Sequence, residues 1–253
     1  MKITVCELPH ESGALAAAWS RLCEHTESQG SQFVLLPELA FVDPLWEQDR
    51  FDPAHWADGV SASNAWVRRL SELRATHVVS TRPATAARRQ FNEGFVWSHD
   101  SGLVPLRRKY FLPNESGGWE SRWFARGDRD FPRFTAGSFS FGLNICTELW
   151  ALETYAAYAA MRVQAVLCPR ATSIGTTAKW LAAGTVAAVR SGAYCLSSNR
   201  VHPDGSCGGY GWIISPDGVV LATTSRDEPF CTLEIDVDLP KTAARTYPRY
   251  VFA

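Results

Sequence analysis

Gly142-Leu-Asn-Ile-Cys146-Thr-Glu-Leu-Trp150 is the stretch that decides the fold. It closes an apolar run over residues 138–145 that reads as a buried strand, and a helix-like segment follows at once. A thiol at such a strand-to-helix elbow meets unpaired backbone N–H groups, which stabilise a thiolate or an oxyanion. Two further stretches end in the same manner. Phe33-Val-Leu-Leu-Pro-Glu38 brings a carboxylate to the end of an apolar strand, and Arg107-Arg-Lys109 brings an amine to the end of another.

Working outward, strands and helices alternate along the whole chain. Residues 2–8 form a strand, and residues 13–27 a helix with Leu15, Trp19, Leu22 and Cys23 on one face. A buried strand spans 32–36. Ser63 caps a helix that turns Trp66, Leu70 and Leu73 inward. Strands at 77–81, 91–98 and 103–109 follow, the last two joined by the turn Asp100-Ser-Gly102. The second half repeats the scheme, with helices at 152–162 and 177–191 among strands at 138–145, 165–168 and 194–199. Strands at 211–215, 219–224 and 230–237 close it, the first two joined through Pro216-Asp-Gly218. No linker or repeat interrupts the pattern, so residues 1–253 are expected to form one domain with helices packed outside sheets.

Composition narrows the class. A chain of 253 residues with 46% apolar residues and ten tryptophans has ample material for a core, which excludes disorder. A net charge of −1 supplies no electrostatic basis for binding nucleic acid or anionic membrane. No run approaches about 18 uninterrupted apolar residues, so no transmembrane helix is expected. The start, Met1-Lys-Ile-Thr-Val-Cys-Glu, reads as a first strand rather than a signal peptide. Seven cysteines without a matched spacing indicate neither a disulfide framework nor a zinc site, and free thiols fit a reducing cytoplasm. The six histidines show no ligand spacing, and neither a metal nor a cofactor is expected.

Strand ends carrying Glu38, Lys109 and Cys146 in that order resemble the carbon–nitrogen hydrolase family, or nitrilase superfamily. The likeness extends from Met1-Lys-Ile-Thr-Val to Thr232-Leu-Glu-Ile-Asp-Val-Asp. It is sharpest in the loop from Lys109-Tyr-Phe-Leu-Pro through Trp119-Glu120-Ser-Arg-Trp to Gly127-Asp128. Arg190, Asn199-Arg200 and Ser215-Pro-Asp-Gly218 fall where the family has its late helix, its Asn-bearing strand and its final hairpin. The resemblance implies a four-layer αββα sandwich of two mixed sheets with helices on both outer faces. In such folds ligands sit at the carboxyl ends of strands.

The chemistry implied is hydrolysis of an amide in two steps through a covalent thioester. By this resemblance Cys146 is the nucleophile, and Glu38 is the base that takes its proton and later passes it to the leaving amine. Lys109 and the backbone N–H of Thr147 face the oxyanion. A second glutamate holds the lysine and the hydrolytic water. Glu120 matches the loop better than Glu115, whose Pro-Asn-Glu-Ser-Gly-Gly setting reads as an exposed turn. Glu148 is expected to tie the elbow. The family's usual aromatic residue after the cysteine is replaced here by Thr147, which changes the pocket wall.

Other positions keep two readings. Trp119, Trp123 and Trp150 flank these motifs and either wall the pocket or pack the core. Arg170 either binds a substrate carboxylate or serves an internal ion pair. Cys6, Cys168, Cys195 and Cys231 are expected as packing residues. The expected activity is cysteine-dependent hydrolysis of a small linear amide or N-carbamoyl compound with release of ammonia. A true nitrilase and a catalytically silent binding protein are the alternatives. The expected partners are a small-molecule amide, carbamoyl or nitrile substrate and a second copy of the chain, at least a dimer, docked through Tyr250-Val-Phe252.

Overall fold

The computed structural model describes residues 1–252; Ala253, the end of the expected domain, lies outside the described residues. Its first half lays down β1 (Lys2–Leu8), β2 (Phe33–Leu35), β3 (His77–Ala86), β4 (Arg89–Ser98) and β5 (Gly102–Arg108). The second lays down β6 (Phe134–Ala136), β7 (Phe139–Leu143), β8 (Ala165–Arg170), β9 (Tyr194–Arg200), β10 (Trp212–Ile214) and β11 (Val220–Thr223). Finally β12 (Phe230–Glu234) returns to pair antiparallel with β1. Helices α1 (Ser12–Gln29), α2 (Pro53–Val67), α3 (Glu120–Trp123), α4 (Glu153–Ala160), α5 (Thr177–Ser191) and α6 (Leu239–Ala243) connect them.

Two mixed sheets result. In the first, β1, β2 and β3 run parallel, with β4 and β5 antiparallel at one side and β12 at the other. In the second, β7, β8 and β9 run parallel between β6 and the β10–β11 hairpin. They meet at one seam, where Glu7 and Leu8 of β1 pair with Asn199 and Arg200 of β9.

Side-chain alternation explains the sandwich. Successive strand residues point to opposite faces, so a strand covered on both sides reads as an unbroken apolar run. Ile3, Val5, Phe33 and Leu35 meet Phe141, Leu143, Leu167 and Leu196 of the other sheet in one interior core. The intervening Cys6, Leu8 and Val34 face outward against Leu15, Trp19 and Leu22 of α1. Val166, Cys168, Cys195 and Trp212 face outward against Tyr155, Tyr158, Ala183 and Ala187 of α4 and α5. The four-layer αββα sandwich expected from the sequence is the fold observed.

Local details depart from expectation in two places. Ser63 is not a cap: α2 begins ten residues earlier, where Asp52 accepts hydrogen bonds from Ala54 N (2.8 Å) and His55 N (3.3 Å), with Pro53 opening the helix. An Asp-Pro pair supplies both the cap acceptor and a preset φ, and leaves Ser63 buried mid-helix. The strand before Cys146 ends at Leu143, and the segment after it is a 3₁₀ turn, Cys146–Trp150, that precedes α4. Gly142 is required beside this turn, because a Cβ there would enter the ring of Tyr158.

Overpacking at such a contact costs about 1–3 kcal/mol. Gly142→Ala is therefore expected to lower the free energy of unfolding by that amount, read as a shift of the urea midpoint.

Candidate active site

Glu38 lies three residues past the end of β2. Its position is set by the backbone on both sides: Pro37 O accepts from Ser80 Oγ (2.8 Å), and Leu39, at φ +45°, donates its N–H to Thr81 Oγ1 (2.8 Å). Lys109 directly follows β5. Its N–H donates to Asn92 O and its carbonyl accepts from Gly127 N, both at 2.9 Å. The extended lysine side chain is completely buried, and Nζ donates to Glu38 Oε1 at 2.8 Å and to Glu120 Oε1 at 2.7 Å. Asn92 Nδ2 donates a further 2.8 Å bond to Glu38 Oε1. Glu120 opens α3, a single turn that directs Glu120 and Trp123 inward and leaves Ser121 and Arg122 exposed.

The charges in this row are coupled. Burial works against the Lys109 ammonium, but the carboxylates of Glu120 and Glu38 outweigh it and hold the amine well above its ordinary pKa. Burial pushes the Glu120 carboxyl up to about 7, against the pull of Lys109. Glu120 Oε2 is fully buried without a hydrogen-bond partner among the described residues.

Cys146 begins its turn at φ +49°, a left-handed conformation that costs a non-glycine residue about 1–2 kcal/mol. Glu148 sustains it. The carboxylate accepts from Ile145 N (2.9 Å) and Tyr110 N (2.7 Å) and forms a two-pronged pair with Arg107, whose Nη2 lies 3.0 Å from Oε1. Arg107 in turn stacks 4.0 Å over the ring of Phe131. Asn144 links its Nδ2 to Glu148 O (2.7 Å) and accepts from Tyr158 OH (2.8 Å) at Oδ1. The cysteine turn is thus fastened to the strand end that carries Lys109, and Glu148 has the tying role expected of it.

The Cys146 sulfur is almost fully buried. Burial raises its pKa, Glu38 raises it further, and Lys109 opposes both. Thr147 follows half-buried within the same turn. A thiol, a base, a cation and a spare carboxylate oxygen therefore share one strand-end locus, an arrangement suited to nucleophilic attack on a carbonyl and to proton transfer around it.

The remaining candidates separate. Glu115 lies in an exposed turn closed by its own backbone bonds with Gly118. Trp119 is half-buried and lines an open cleft of about 440 Å³ with Asp49, Arg50, Phe51 and Arg122. Trp123 does not wall the pocket: it is buried in a cluster with Trp46, Trp56 and Phe124 and donates to Gln48 O (2.7 Å). Trp150 is 47% exposed and leans on Trp180. Arg170 is not available to a ligand either. It is wholly buried and its three donor nitrogens end on neutral protein oxygens, so an internal ion pair is excluded as well. Asn92, which bonds Glu38, was missed from sequence. Asn92 stands between Phe91 and Glu93, with a second amide at Gln90, so no local pattern in β4 marked it. Among the described residues no group of three or more His, Cys, Asp or Glu is disposed to hold a metal.

Comparison with known proteins shows the family and the fold. The family model for carbon-nitrogen hydrolase matches residues 2–245. The fold superposes on a carbon-nitrogen hydrolase from Helicobacter pylori G27 with a TM-score of 0.84 at 17% identity, covering 99% of this chain and 94% of that one. It also superposes on the amidase from Nesterenkonia sp. AN1. A glutamate-to-glutamine mutant of that amidase, carrying the result of Michael addition of acrylamide at its active-site cysteine, gives a TM-score of 0.76 at 19% identity and 95% coverage of both chains. A cysteine-to-alanine mutant in complex with butyramide gives 0.74 at 17% identity, covering 96% of this chain and 93% of that one. A search of curated protein sequences found no match.

The elevated Glu120 pKa carries a stability signature. Because the folded value of about 7 exceeds the ordinary 4.5, the folded chain keeps a proton that the unfolded chain has lost between those pH values. Stability contributed at this site therefore falls as pH rises through that window, by up to about 3 kcal/mol. Urea unfolding at pH 5 and pH 7.5 should show a loss in the wild type that is smaller in Glu120→Gln.

Proposed function

Because the chain belongs to the carbon–nitrogen hydrolase family, we propose that it is a cysteine-dependent hydrolase of a small linear amide or N-carbamoyl compound. The observation that carries this reading is the bridge of Lys109 Nζ between Glu38 (2.8 Å) and Glu120 (2.7 Å), beside the left-handed turn at Cys146. Glu38 takes the thiol proton as sulfur attacks the carbonyl carbon. The oxyanion faces Lys109 and the Thr147 N–H. Collapse breaks the carbon–nitrogen bond, and the proton on Glu38 leaves with ammonia. Water then adds to the thioester with Glu120, through its unpartnered Oε2, as orienting base, and sulfur departs. An amide yields a carboxylic acid; an N-carbamoyl compound yields a carbamic acid, which breaks down to an amine and carbon dioxide. The Cys146-x-Glu148 pattern does not favour a nitrile substrate, since both Glu148 oxygens are occupied by Arg107 and backbone N–H groups. A silent binding protein has no use for this buried charge row.

Cys146→Ala and Cys146→Ser should abolish ammonia release from a panel of amides and carbamoyl compounds while leaving the circular dichroism spectrum intact; turnover in Cys146→Ala would remove the nucleophile from the scheme. Glu120→Gln should lose about 10²-fold in kcat, the scale of an acid–base contribution, whereas Glu115→Gln should stay close to wild type.

The same reading includes self-association as at least a dimer. It is supported by Tyr247, Tyr250, Val251 and Phe252, whose apolar side chains are all exposed. Light scattering at micromolar concentration should give at least twice the 28.0 kDa chain mass, and a monomer mass would reject it.

A further inference from the structure

Asn92 lies within β4, opposite Pro83 of β3, and is almost wholly buried. Its amide is engaged on one side only. Nδ2 donates to Glu38 Oε1 at 2.8 Å, whereas Oδ1 is buried without a hydrogen-bond partner among the described residues. An amide oxygen sealed from water with no donor carries a desolvation penalty that a leucine of similar shape would avoid. Packing alone therefore does not account for an asparagine here. The reverse amide orientation would set Oδ1 against the Glu38 carboxylate, two acceptors face to face, so the bond to Glu38 fixes which way the amide points.

The same residue also holds the cation of the row. Its backbone carbonyl accepts from Lys109 N at 2.9 Å. Lys109 stands just beyond the irregularity where β5 pairs Arg108 with Glu93 and Pro105 with Phe95, so β5 carries an extra residue there. Such a bulge re-aims the side chains beside it. Asn92 thus fixes Lys109 through its main chain and Glu38 through its side chain. The consequence falls on the Glu38 carboxylate. Lys109 Nζ and Asn92 Nδ2 both donate to Oε1, each at 2.8 Å, and no hydrogen bond reaches Oε2 among the described residues.

We propose that Asn92 is a positioning residue that, together with Lys109, saturates Oε1 of Glu38 and so reserves Oε2 as the oxygen that exchanges the Cys146 proton. This rests on Glu38 being the base for Cys146. A carboxylate held by a single donor rotates about its Cγ–Cδ bond and interchanges its oxygens; two donors of fixed direction on one oxygen oppose that rotation. The proton passes from Cys146 Sγ to Oε2 as the carbon–sulfur bond forms. It passes from Oε2 to the departing nitrogen as the carbon–nitrogen bond breaks, and Lys109 stays an ammonium throughout. Among the described residues Lys109 is the one charged group in hydrogen-bond contact with Glu38; Glu120, Cys146, Cys168, Cys207 and Arg200 act on it through space.

The test compares Asn92→Leu, which keeps the volume and removes the donor, with Asn92→Asp, which keeps the shape and donates to Glu38 only while the new carboxyl is protonated. The readouts, between about pH 5 and 8.5, are kcat and KM for ammonia release from amides and N-carbamoyl compounds, the rate of iodoacetamide alkylation at Cys146, and the urea midpoint. Relative to the wild type at the same pH, Asn92→Leu should lose about 10-fold in kcat throughout, with KM little changed because the buried side chain does not touch substrate. Asn92→Asp should recover most of that loss at the acid end and lose it again as pH rises and the added carboxyl ionises beside Glu38. A wild-type kcat in Asn92→Leu would overturn the proposal. Equal losses in both variants at every pH, with lowered urea midpoints, would overturn it too and leave Asn92 a structural residue. If Asn92→Leu does not fold, Asn92→Asp decides alone, by whether its loss depends on pH. Should the wild type hydrolyse none of these compounds, the hydrolase reading fails instead, and the alkylation rates of the two variants, expected to follow the same pattern, decide the positioning role.

Discussion

Lys109 is an ammonium without solvent contact, and the rest of the site is arranged around that constraint. Removing a charge from water costs several kcal/mol, recovered only where opposite charges and hydrogen bonds are in good geometry. Glu38 and Glu120 supply them from two distant segments, 71 and 11 residues away. One ammonium between two carboxylates leaves an excess of negative charge in a dry cleft. The high Glu120 pKa follows from burial beside a second carboxylate, and so does the difficulty of ionising Cys146. An uncommitted thiol and an uncommitted carboxylate oxygen are thus built into the charge balance of the row.

Two braces keep these groups in place. Glu148 joins the cysteine turn to Arg107 and Tyr110, on either side of Lys109. Arg170, whose buried guanidinium is fixed by Ser197, Thr172 and the Tyr210 carbonyl, accepts the Glu38 N–H at its own carbonyl at the end of β8. Both braces use buried charged or amide groups rather than apolar packing, because directional bonds restrict a strand end more tightly than dispersion contacts do. The seam at Glu7–Asn199 and Leu8–Arg200 has a related effect, since it fixes one sheet against the other.

Much of this was legible beforehand because strand periodicity and strand-end chemistry are local. The apolar run at 33–36 and the largely apolar run at 138–145 announced strands buried on both faces, and alternation with helices announced the layers. Glu120 was separable from Glu115 by its loop motif and by the turn-forming residues around Glu115. The Ser63 cap was misread because a single serine carries less information than the Asp52-Pro53 pair before it. Trp123 and Arg170 were candidates for the pocket on sequence proximity to the motifs, which says nothing about which way a side chain turns.

The sequence by itself determined the layered α/β architecture, the order of Glu, Lys and Cys along the chain, and the strand ends that bear them, since each depends on residues only a few positions apart. Tertiary structure alone decided that Lys109 bridges two carboxylates, that Glu148 is consumed by Arg107, and that Arg170 turns inward onto Ser197, Thr172 and the Tyr210 carbonyl. Those outcomes depend on contacts between strands distant in sequence. A buried polar group adopts whichever partners the packed sheets bring within about 3 Å, and no local pattern encodes that choice.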